Sequence, residues 1–324
     1  MPRIVVTPRF LAILGPTATG KSALALALAE RLDGEIVNCD STAVYRGFDI
    51  GTDKVPREAQ RGIPHHLIDI VEPTDVYTAA RYARDAAAVI RDVHRRGRLP
   101  IVVGGTGLYY RALTRGLFPG PAADPALRAR LERVAARRGN RWLHGVLVRR
   151  DPASAARIAP ADRKRLVRAV EVLALTGRPL TDHFAETVPP LPEFEPIAVG
   201  LALSGDQLLP RLARRVDQQF AAGLEDEVRG LLARGVPREA RPFGGLVYRQ
   251  VLDHLAGVRD RDATRALIVT ENRRYARRQL IWFRKEPTLK WFDGPGETAQ
   301  VLARVWAFLG TRGLHDDGSD ARNG

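Results

Sequence analysis

The amino-acid sequence predicts an α/β protein, in which a parallel sheet flanked by helices is interrupted by an all-helical insertion. Short apolar runs alternate with amphipathic helices up to about Pro119, and this alternation is typical of buried parallel strands covered on both faces. Only helical patterns follow over residues 121–190. A further apolar run at residues 197–203 then returns the chain to the sheet.

Each predicted element follows from its apolar spacing and its end signals. Before the insertion, the order is strand 11–14, helix 23–32, strand 35–39, helix 77–95 and strand 100–103. Within the insertion we predict helices 126–137, 141–150 and 163–176, with Asp124, Asp151 and Asp162 as helix-start signals. After it come strand 197–203 and helices 207–234 and 262–284. We therefore predict a discontinuous core domain (1–120 and 191–310), a helical insertion domain (121–190) and a disordered tail (311–324).

The charge of the chain favours a polyanionic partner. The formal net charge of the 324 residues is +14, and 46 of the 51 cationic side chains are arginine, whose planar fork suits phosphates. Half of this net charge, from 14 cations against seven anions, lies in residues 121–190. The insertion is therefore interpreted as a nucleic-acid-binding unit, with a solvated helical lid as the alternative.

Cysteine content and hydropathy exclude several classes of protein. Cys39 is the only cysteine, so neither an internal disulfide nor a cysteine-ligated zinc site is possible. His65 and His66 are adjacent and His94 is distant in the sequence, and no further metal ligand is spaced to complete a zinc site with them. No segment approaches the ~18 uninterrupted apolar residues of a membrane span, and the N-terminus does not have the pattern of a signal peptide. We expect a cytoplasmic protein with no membrane partner.

The most informative motif is a match to the phosphate-loop pattern G-x-x-x-x-G-K-[ST]. It comprises Gly15, Pro16, Thr17, Ala18, Thr19, Gly20, Lys21 and Ser22. The motif stands between a predicted strand and a predicted helix, and so indicates a P-loop NTPase-like sheet. The loop amides and the helix N-terminus attract anions, Lys21 adds a point charge, and Ser22 is placed to bind Mg²⁺. The motif predicts a bound phosphate or diphosphate, of which a nucleotide such as ATP is the commonest form.

Other polar residues are expected at the same edge of the sheet. Asp40 follows strand 35–39, so its carboxylate should emerge beside the phosphate loop as a general base, unless it only caps the next turn. Strand 100–103 ends in Gly104-Gly105-Thr106, where the glycine pair permits close approach of the backbone to a ligand or forms a plain turn. Many phosphate-loop NTPases have a Mg²⁺-binding Asp there, so its absence argues against ordinary ATP hydrolysis.

Two arginine groups are candidate anion contacts. Arg211 and Arg215 are spaced to point the same way, towards a diphosphate or towards solvent. The second group is interleaved with aromatic residues, which favours RNA contact over a solvated face. It comprises Arg273, Arg274, Arg277, Arg278 and Arg284, with Tyr275, Trp282 and Phe283.

The motifs, in this order, are similar to those of the bacterial tRNA dimethylallyltransferases, also called isopentenyl-diphosphate:tRNA transferases. The resemblance covers roughly residues 10 to 292. It is carried by segments 15–22, 40–52, 65–69, 104–109, 162–177, 223–228 and 276–284. The chain departs from the family pattern at Thr42-Ala43, where Met-Gln is usual, and at Val247, where glycine is usual.

The resemblance implies transfer of a dimethylallyl group from its diphosphate to the exocyclic amine of the adenine 3′-adjacent to the anticodon. It implies Mg²⁺ on Ser22, Asp40 and Thr106 at the reacting base, and binding of the anticodon stem-loop of tRNA. We expect a monomer. The diphosphate would lie on residues 15–22 and Arg215. The implied tRNA contacts are Asp40, Ser41, Thr42, Ala43, Lys164, Arg165, Leu166, Val167, Arg168, Arg277, Arg278 and Arg284.

A small-molecule kinase is the alternative function. In that case the loop would bind ATP, and Asp40 would deprotonate a substrate hydroxyl. This hypothesis explains the first 110 residues or so, but it does not explain the basic helical insertion.

Overall fold

The computed structural model describes residues 7–315. The chain divides into two compact units. Arg115–Pro190 form one unit, and the described residues on either side of this segment form the other. The helical unit thus begins six residues before the predicted start at 121, because the turn and extended segment between Arg115 and the first predicted helix belong to it.

The larger unit is built on a six-stranded sheet with the strand order β3-β2-β4-β1-β5-β6. All of its strand pairs are parallel, and the predicted α/β class is confirmed. The strands are β1 (Arg9–Leu14), β2 (Gly34–Asn38), β3 (His65–His66), β4 (Leu99–Gly104), β5 (Glu195–Ala202) and β6 (Leu289–Asp293). Two strands were not predicted: β3, which has only two residues, and β6, an edge strand with exposed Lys290 and Asp293.

Thirteen α-helices lie in the described part of the chain. The helices that precede the helical unit in the sequence are α1 (Lys21–Arg31), α2 (Ala79–Arg95) and α3 (Gly107–Arg115). The last residue of α3, Arg115, is also the first residue of the helical unit. The helical unit contains α4 (Pro125–Arg138), α5 (Asn140–Arg150), α6 (Pro152–Arg157), α7 (Arg163–Thr176) and α8 (Leu180–Phe184). The chain then forms α9 (Gly205–Ala221), α10 (Leu224–Ala233), α11 (Leu246–Leu255), α12 (Arg261–Phe283) and α13 (Ala299–Thr311).

Alternate residues of β1 face two separate apolar cores. Leu11 and Ile13 pack with α1 and α13 on one face of the sheet. Phe10, Ala12 and Leu14 pack with α2 and with the α9–α12 group on the other. The strand is therefore buried on both sides, which is why its sequence is a continuous apolar run.

Two predicted segments need correction. The single helix predicted over 207–234 is two helices, α9 and α10, because Gly223 adopts a left-handed backbone with φ 90° and ends the regular turn. The predicted disordered tail is ordered over 311–315: Thr311 ends α13, and the His315 ring stacks on Trp306 at 3.8 Å between centroids. Residues 316–324 lie outside the described part of the chain.

The helical unit follows its predicted start signals. Asp124, Asp151 and Asp162 each accept a hydrogen bond from a backbone N–H of the next turn and begin α4, α6 and α7. The unit has its own core, with Leu143, Leu147 and others fully buried. Across both units, no described helix combines the length and apolar composition needed to cross a membrane.

Candidate active site

The carboxyl ends of the central strands border a cavity of about 500 Å³ in the larger unit. Open α/β sheets bind ligands at this edge. Thr17, Ala18, Gly20, Lys21, Ser22, Asp40, Asp53, Gly105, Arg211, Arg215, Tyr275, Gln279 and Glu297 are among its lining residues. The structure thus brings the phosphate loop, Asp40 and the arginine pair together in one cavity.

Two of the hydrogen bonds that hold the phosphate loop in shape come from its own side chains. Thr19 Oγ1 and Lys21 Nζ both donate to Pro16 O, at 2.9 and 2.5 Å. Ala18 adopts the left-handed backbone region, with φ 62°, a conformation that costs a non-glycine residue about 1–2 kcal/mol. Gly15, Pro16 and Thr19, which were also predicted to bind diphosphate, do not line the cavity; Pro16 and Thr19 line a separate cavity of about 440 Å³.

Lys21 is half-buried at the start of α1. Burial lowers the pKa of Lys21 to about 7; Arg215 acts in the same direction, while Asp40 and Asp53 oppose it. The ammonium is therefore only partly charged near neutral pH in the ligand-free protein. An anion bound next to it would restore the charge, because an opposite charge favours the ionised form.

The arginine pair of α9 points into the cavity, and each arginine bridges the loop to a carboxylate. Arg211 Nε donates to Ala18 O at 2.8 Å, and its Nη1 lies 2.5 Å from Glu297 Oε1. Arg215 Nη1 donates to Thr17 Oγ1 at 2.8 Å, and its Nη2 lies 2.9 Å from Asp53 Oδ2. Neither carboxylate could be predicted from the sequence, since neither belongs to a recognisable motif.

Asp40 stands at the end of β2 in a fixed orientation. Its Oδ1 accepts from Thr42 N at 2.8 Å and from Thr42 Oγ1 at 2.6 Å. No hydrogen bond to Oδ2 is found within residues 7–315. The departure from the family pattern at Thr42 therefore adds a donor to Asp40, which a methionine side chain does not have.

Thr106, predicted to act at the reacting base, supports the Asp40 turn instead of lining the cavity. Its Oγ1 accepts from Ser41 N at 3.0 Å. The preceding glycines allow close approach of protein atoms: a Cβ on Gly104 would lie 2.1 Å from Cys39 O. The neighbour of Gly104 is thus the end of β2; both glycines also line the main cavity, so close approach of a ligand there stays a prediction.

Ser22 fits the predicted Mg²⁺ site. Its side chain is exposed in the first turn of α1 and lines the cavity. The described residues contain no group of three His, Cys, Asp or Glu that would form an all-protein metal cage. Mg²⁺ is commonly bound through one or two protein groups together with substrate phosphates, and the Ser or Thr hydroxyl that follows the lysine of a phosphate loop is a usual ligand.

The predicted tRNA contacts in the helical unit divide into exposed and buried residues. Lys164 and Arg165 are exposed on the first turn of α7. Leu166 and Val167 are 0% and 4% exposed and form part of the core, so their predicted RNA contact is corrected. Arg168 Nη1 pairs with the buried Glu171 at 2.7 Å, which gives it a structural role within the unit.

The predicted contacts in the larger unit are mostly accessible. Arg277 and Arg278 are exposed in the C-terminal part of α12, and Arg284 is exposed directly after its end. Ser41 and Thr42 are half-buried, whereas Ala43 is buried and lines the main cavity.

A smaller cavity of about 260 Å³ adjoins the main one and shares Asp40, Arg215 and Tyr275 with it. Its further lining includes Asn272, Val247 and Tyr248. Val247 is helical in α11 and has no positive φ. The usual glycine is therefore not required for backbone reasons at this position.

Comparison with known proteins gives consistent matches. A family model described as IPP transferase matches residues 43–286. The tRNA dimethylallyltransferase of Geobacter sulfurreducens is 44% identical over 302 residues, which are 93% of this chain and 97% of that protein. The tRNA dimethylallyltransferase of Solibacter usitatus is 46% identical over 304 residues, which are 93% of this chain and 99% of that protein.

Solved structures with the same fold have related names. The tRNA isopentenylpyrophosphate transferase of Bacillus halodurans aligns with a TM-score of 0.70 at 37% identity, over 94% of this chain and 96% of that one. A eukaryotic dimethylallyltransferase acting on tRNA aligns with a TM-score of 0.76 at 26% identity, over 94% of this chain and 79% of that one. The similarity extends over nearly the whole chain.

Proposed function

The chain belongs to the IPP transferase family, and we propose that it transfers a dimethylallyl group from dimethylallyl diphosphate to tRNA. The acceptor is the exocyclic amine of the adenine on the 3′ side of the anticodon, and diphosphate is released. The observation that carries this proposal is one cavity that holds the phosphate loop, two arginines and Asp40. A site for an anionic leaving group and a candidate base thus share one space.

The cationic side of the cavity is suited to a diphosphate leaving group. As the allylic carbon–oxygen bond breaks, the bonding electrons pass to the diphosphate oxygen, where negative charge grows. Lys21, Arg211 and Arg215 surround the phosphate loop and can neutralise that charge. The two arginines would exchange Glu297 and Asp53 for phosphate oxygens, since each pair is partly open to solvent.

Asp40 is placed to act on the attacking amine. The amine nitrogen forms the new bond to the allylic carbon, and one of its protons passes to the carboxylate. Thr42 holds Oδ1 through two hydrogen bonds, which leaves Oδ2 as the oxygen for the amine. Because an aromatic exocyclic amine is a weak nucleophile, alignment and leaving-group stabilisation should supply much of the rate.

Mg²⁺ would be held by Ser22 and the substrate phosphates. When bound, it would add positive charge on the leaving diphosphate.

The function is tested by incubating the protein with labelled dimethylallyl diphosphate and bulk tRNA and measuring label in the RNA. A second measurement separates the proposal from the kinase alternative, which the comparisons do not favour. Dimethylallyl diphosphate should raise the unfolding temperature, because a ligand that binds only the folded state stabilises it. Protection by ATP alone, with no label in the RNA, would contradict the proposal.

The exposed cations of α7 provide a prediction about tRNA affinity. Lys164→Ala combined with Arg165→Ala should weaken tRNA binding and reduce the slope of log affinity against log salt by about one to two, because fewer counterions are released. Binding of inorganic pyrophosphate should be unchanged.

The matched control is Arg149→Ala with Arg150→Ala, which removes the same charge from exposed positions at the end of α5. If both double variants change the slope equally, only the net charge of the helical unit matters. Arg168 is unsuitable for this test, because its loss would leave the buried Glu171 with one partner fewer.

A further inference from the structure

We propose that Gln279 is a positioning residue that fixes the phosphate loop against the end of β4; the proposal rests on the function proposed above. Gln279 lies on α12 and is 6% exposed. Its Oε1 accepts from Thr17 N at 2.9 Å, and its Nε2 donates to Gly105 O at 2.9 Å. One carboxamide therefore connects α12, the loop and the glycine pair of β4.

Only an amide matches these two partners. The Thr17 N–H can only donate and the Gly105 carbonyl can only accept, so the oxygen and nitrogen of Gln279 have one satisfactory orientation. A carboxylate would bring a second acceptor against Gly105 O. A thioether of similar length would leave both backbone groups without this partner.

The absence of a side chain at Gly105 leaves room for the Gln279 carboxamide. A Cβ at position 105 would lie 2.3 Å from Gln279 Nε2, a distance that real contacts do not allow. Glycine at this position thus has a structural reason that the sequence pattern alone did not reveal. Glycine at position 105 leaves space for the Gln279 carboxamide, which in turn accepts the hydrogen bond from Thr17 N in the phosphate loop.

Thr17 is the point where Gln279 acts on the site. The same residue lines the cavity and accepts a hydrogen bond from Arg215 through Oγ1. The next residue, Ala18, has the left-handed backbone. Loss of the Gln279 contact would release the loop next to this strained residue and beside the leaving group. A misplacement of about 1 Å near reacting groups can cost about 10²-fold in rate.

The first test is Gln279→Met, with Gln250→Met as the matched control. Gln250 is 5% exposed on α11 and lines neither the main cavity nor the adjoining one. We expect Gln279→Met to lower kcat/KM by about 10- to 100-fold and to weaken binding of inorganic pyrophosphate. Affinity for an anticodon stem-loop should match that of the control, whereas the Tm should fall further than in the control, because Gln279→Met leaves Thr17 N and Gly105 O without their partner.

The second test is Gln279→Glu, assayed across pH. A neutral carboxylic acid accepts through its carbonyl oxygen and donates through its O–H, so the protonated variant reproduces the amide. The defect in pyrophosphate affinity relative to wild type should shrink as pH falls from about 9 to about 5.5, through the range in which a half-satisfied buried Glu gains a proton. A residue with only a packing role would show no such rescue.

The proposal is overturned if Gln279→Met behaves as Gln250→Met does, or if the Gln279→Glu defect is independent of pH. Both results are judged on pyrophosphate binding as well as on turnover. If wild-type protein transfers the label but Gln279→Met is unimpaired, the positioning role fails and the function stands. If wild-type protein binds pyrophosphate without transferring the label, the proposed function fails.

Discussion

Replacing Asp40 by Asn should lower the rate of dimethylallyl transfer by about 10²- to 10⁴-fold, the usual contribution of a positioned general base. The side chain keeps its size and can still accept from Thr42 through Oδ1. It cannot take a proton from the attacking amine. The expected defect therefore lies in kcat, because the side chains of the phosphate loop and the exposed cations are kept. Loss of the Asp40 charge lowers the pKa of Lys21 further, an effect that loss of the Asp53 charge shares.

The measurement is single-turnover transfer with labelled dimethylallyl diphosphate, beside direct binding of the anticodon stem-loop and of pyrophosphate. Asp53→Asn is the control, since Asp53 lines the same cavity but is paired with Arg215. That variant removes an equal charge without removing the base. If Asp40→Asn turns over at near the wild-type rate, or if both variants fall equally, Asp40 does not act as the base.

The parts of the site that could be predicted from the sequence are those encoded locally. The phosphate loop is a contiguous motif between a strand and a helix, and Asp40 directly follows a strand, so parallel topology alone places both at one edge of the sheet. The arginine pair needed one further step, the helical spacing that puts Arg211 and Arg215 on one face. These residues do line one cavity.

The residues that were missed depend on contacts between distant parts of the chain. Glu297 reaches Arg211 from the segment after β6, and Gln279 reaches Thr17 from α12. No periodicity or spacing in one sequence encodes such pairings. The same limit explains Arg168: the family resemblance implies an RNA contact there, whereas in the structure Arg168 pairs with the buried Glu171.

The glycine-rich end of β4 shows how one pattern has two physical causes. A glycine pair indicates close approach, and the sequence alone is compatible with a ligand or a plain turn there. In the structure, the space next to Gly104 and Gly105 is taken by Cys39 O and Gln279 Nε2. The pattern correctly predicts a crowded backbone, but it does not identify the neighbour.

Replacing Lys21 by Met should lower kcat by about 10²- to 10³-fold, the usual cost of removing one donor that stabilises a developing anion. Lys21 lies in the cavity with Arg215 and Ser22, so its charge acts on the leaving diphosphate. Lys21→Arg keeps the charge but not the compact ammonium, and it should recover only part of the rate. Wild-type turnover by Lys21→Met would show that the arginines alone suffice.

The pKa of Lys21 adds a pH dependence to this prediction. Because that pKa is about 7 in the ligand-free protein, the amine is largely neutral at about pH 8, and a bound diphosphate raises its pKa and recharges it. The complex then holds more protons than the separate partners, so affinity for pyrophosphate should fall as pH rises above 7. Calorimetry in two buffers of different ionisation enthalpy should detect this proton uptake.

The Lys21→Arg variant distinguishes protons taken up by Lys21 from protons taken up by the ligand in that experiment. An arginine stays protonated throughout this pH range, so any proton uptake left in the variant belongs to the phosphates or to other groups. The difference between wild type and variant should approach one proton at about pH 8, where a lysine with a pKa of about 7 is mostly neutral. Equal uptake by both proteins would mean that Lys21 is already charged before the diphosphate binds. Burial and the charge of Arg215 would then lower the pKa of Lys21 less than the geometry of the cavity implies.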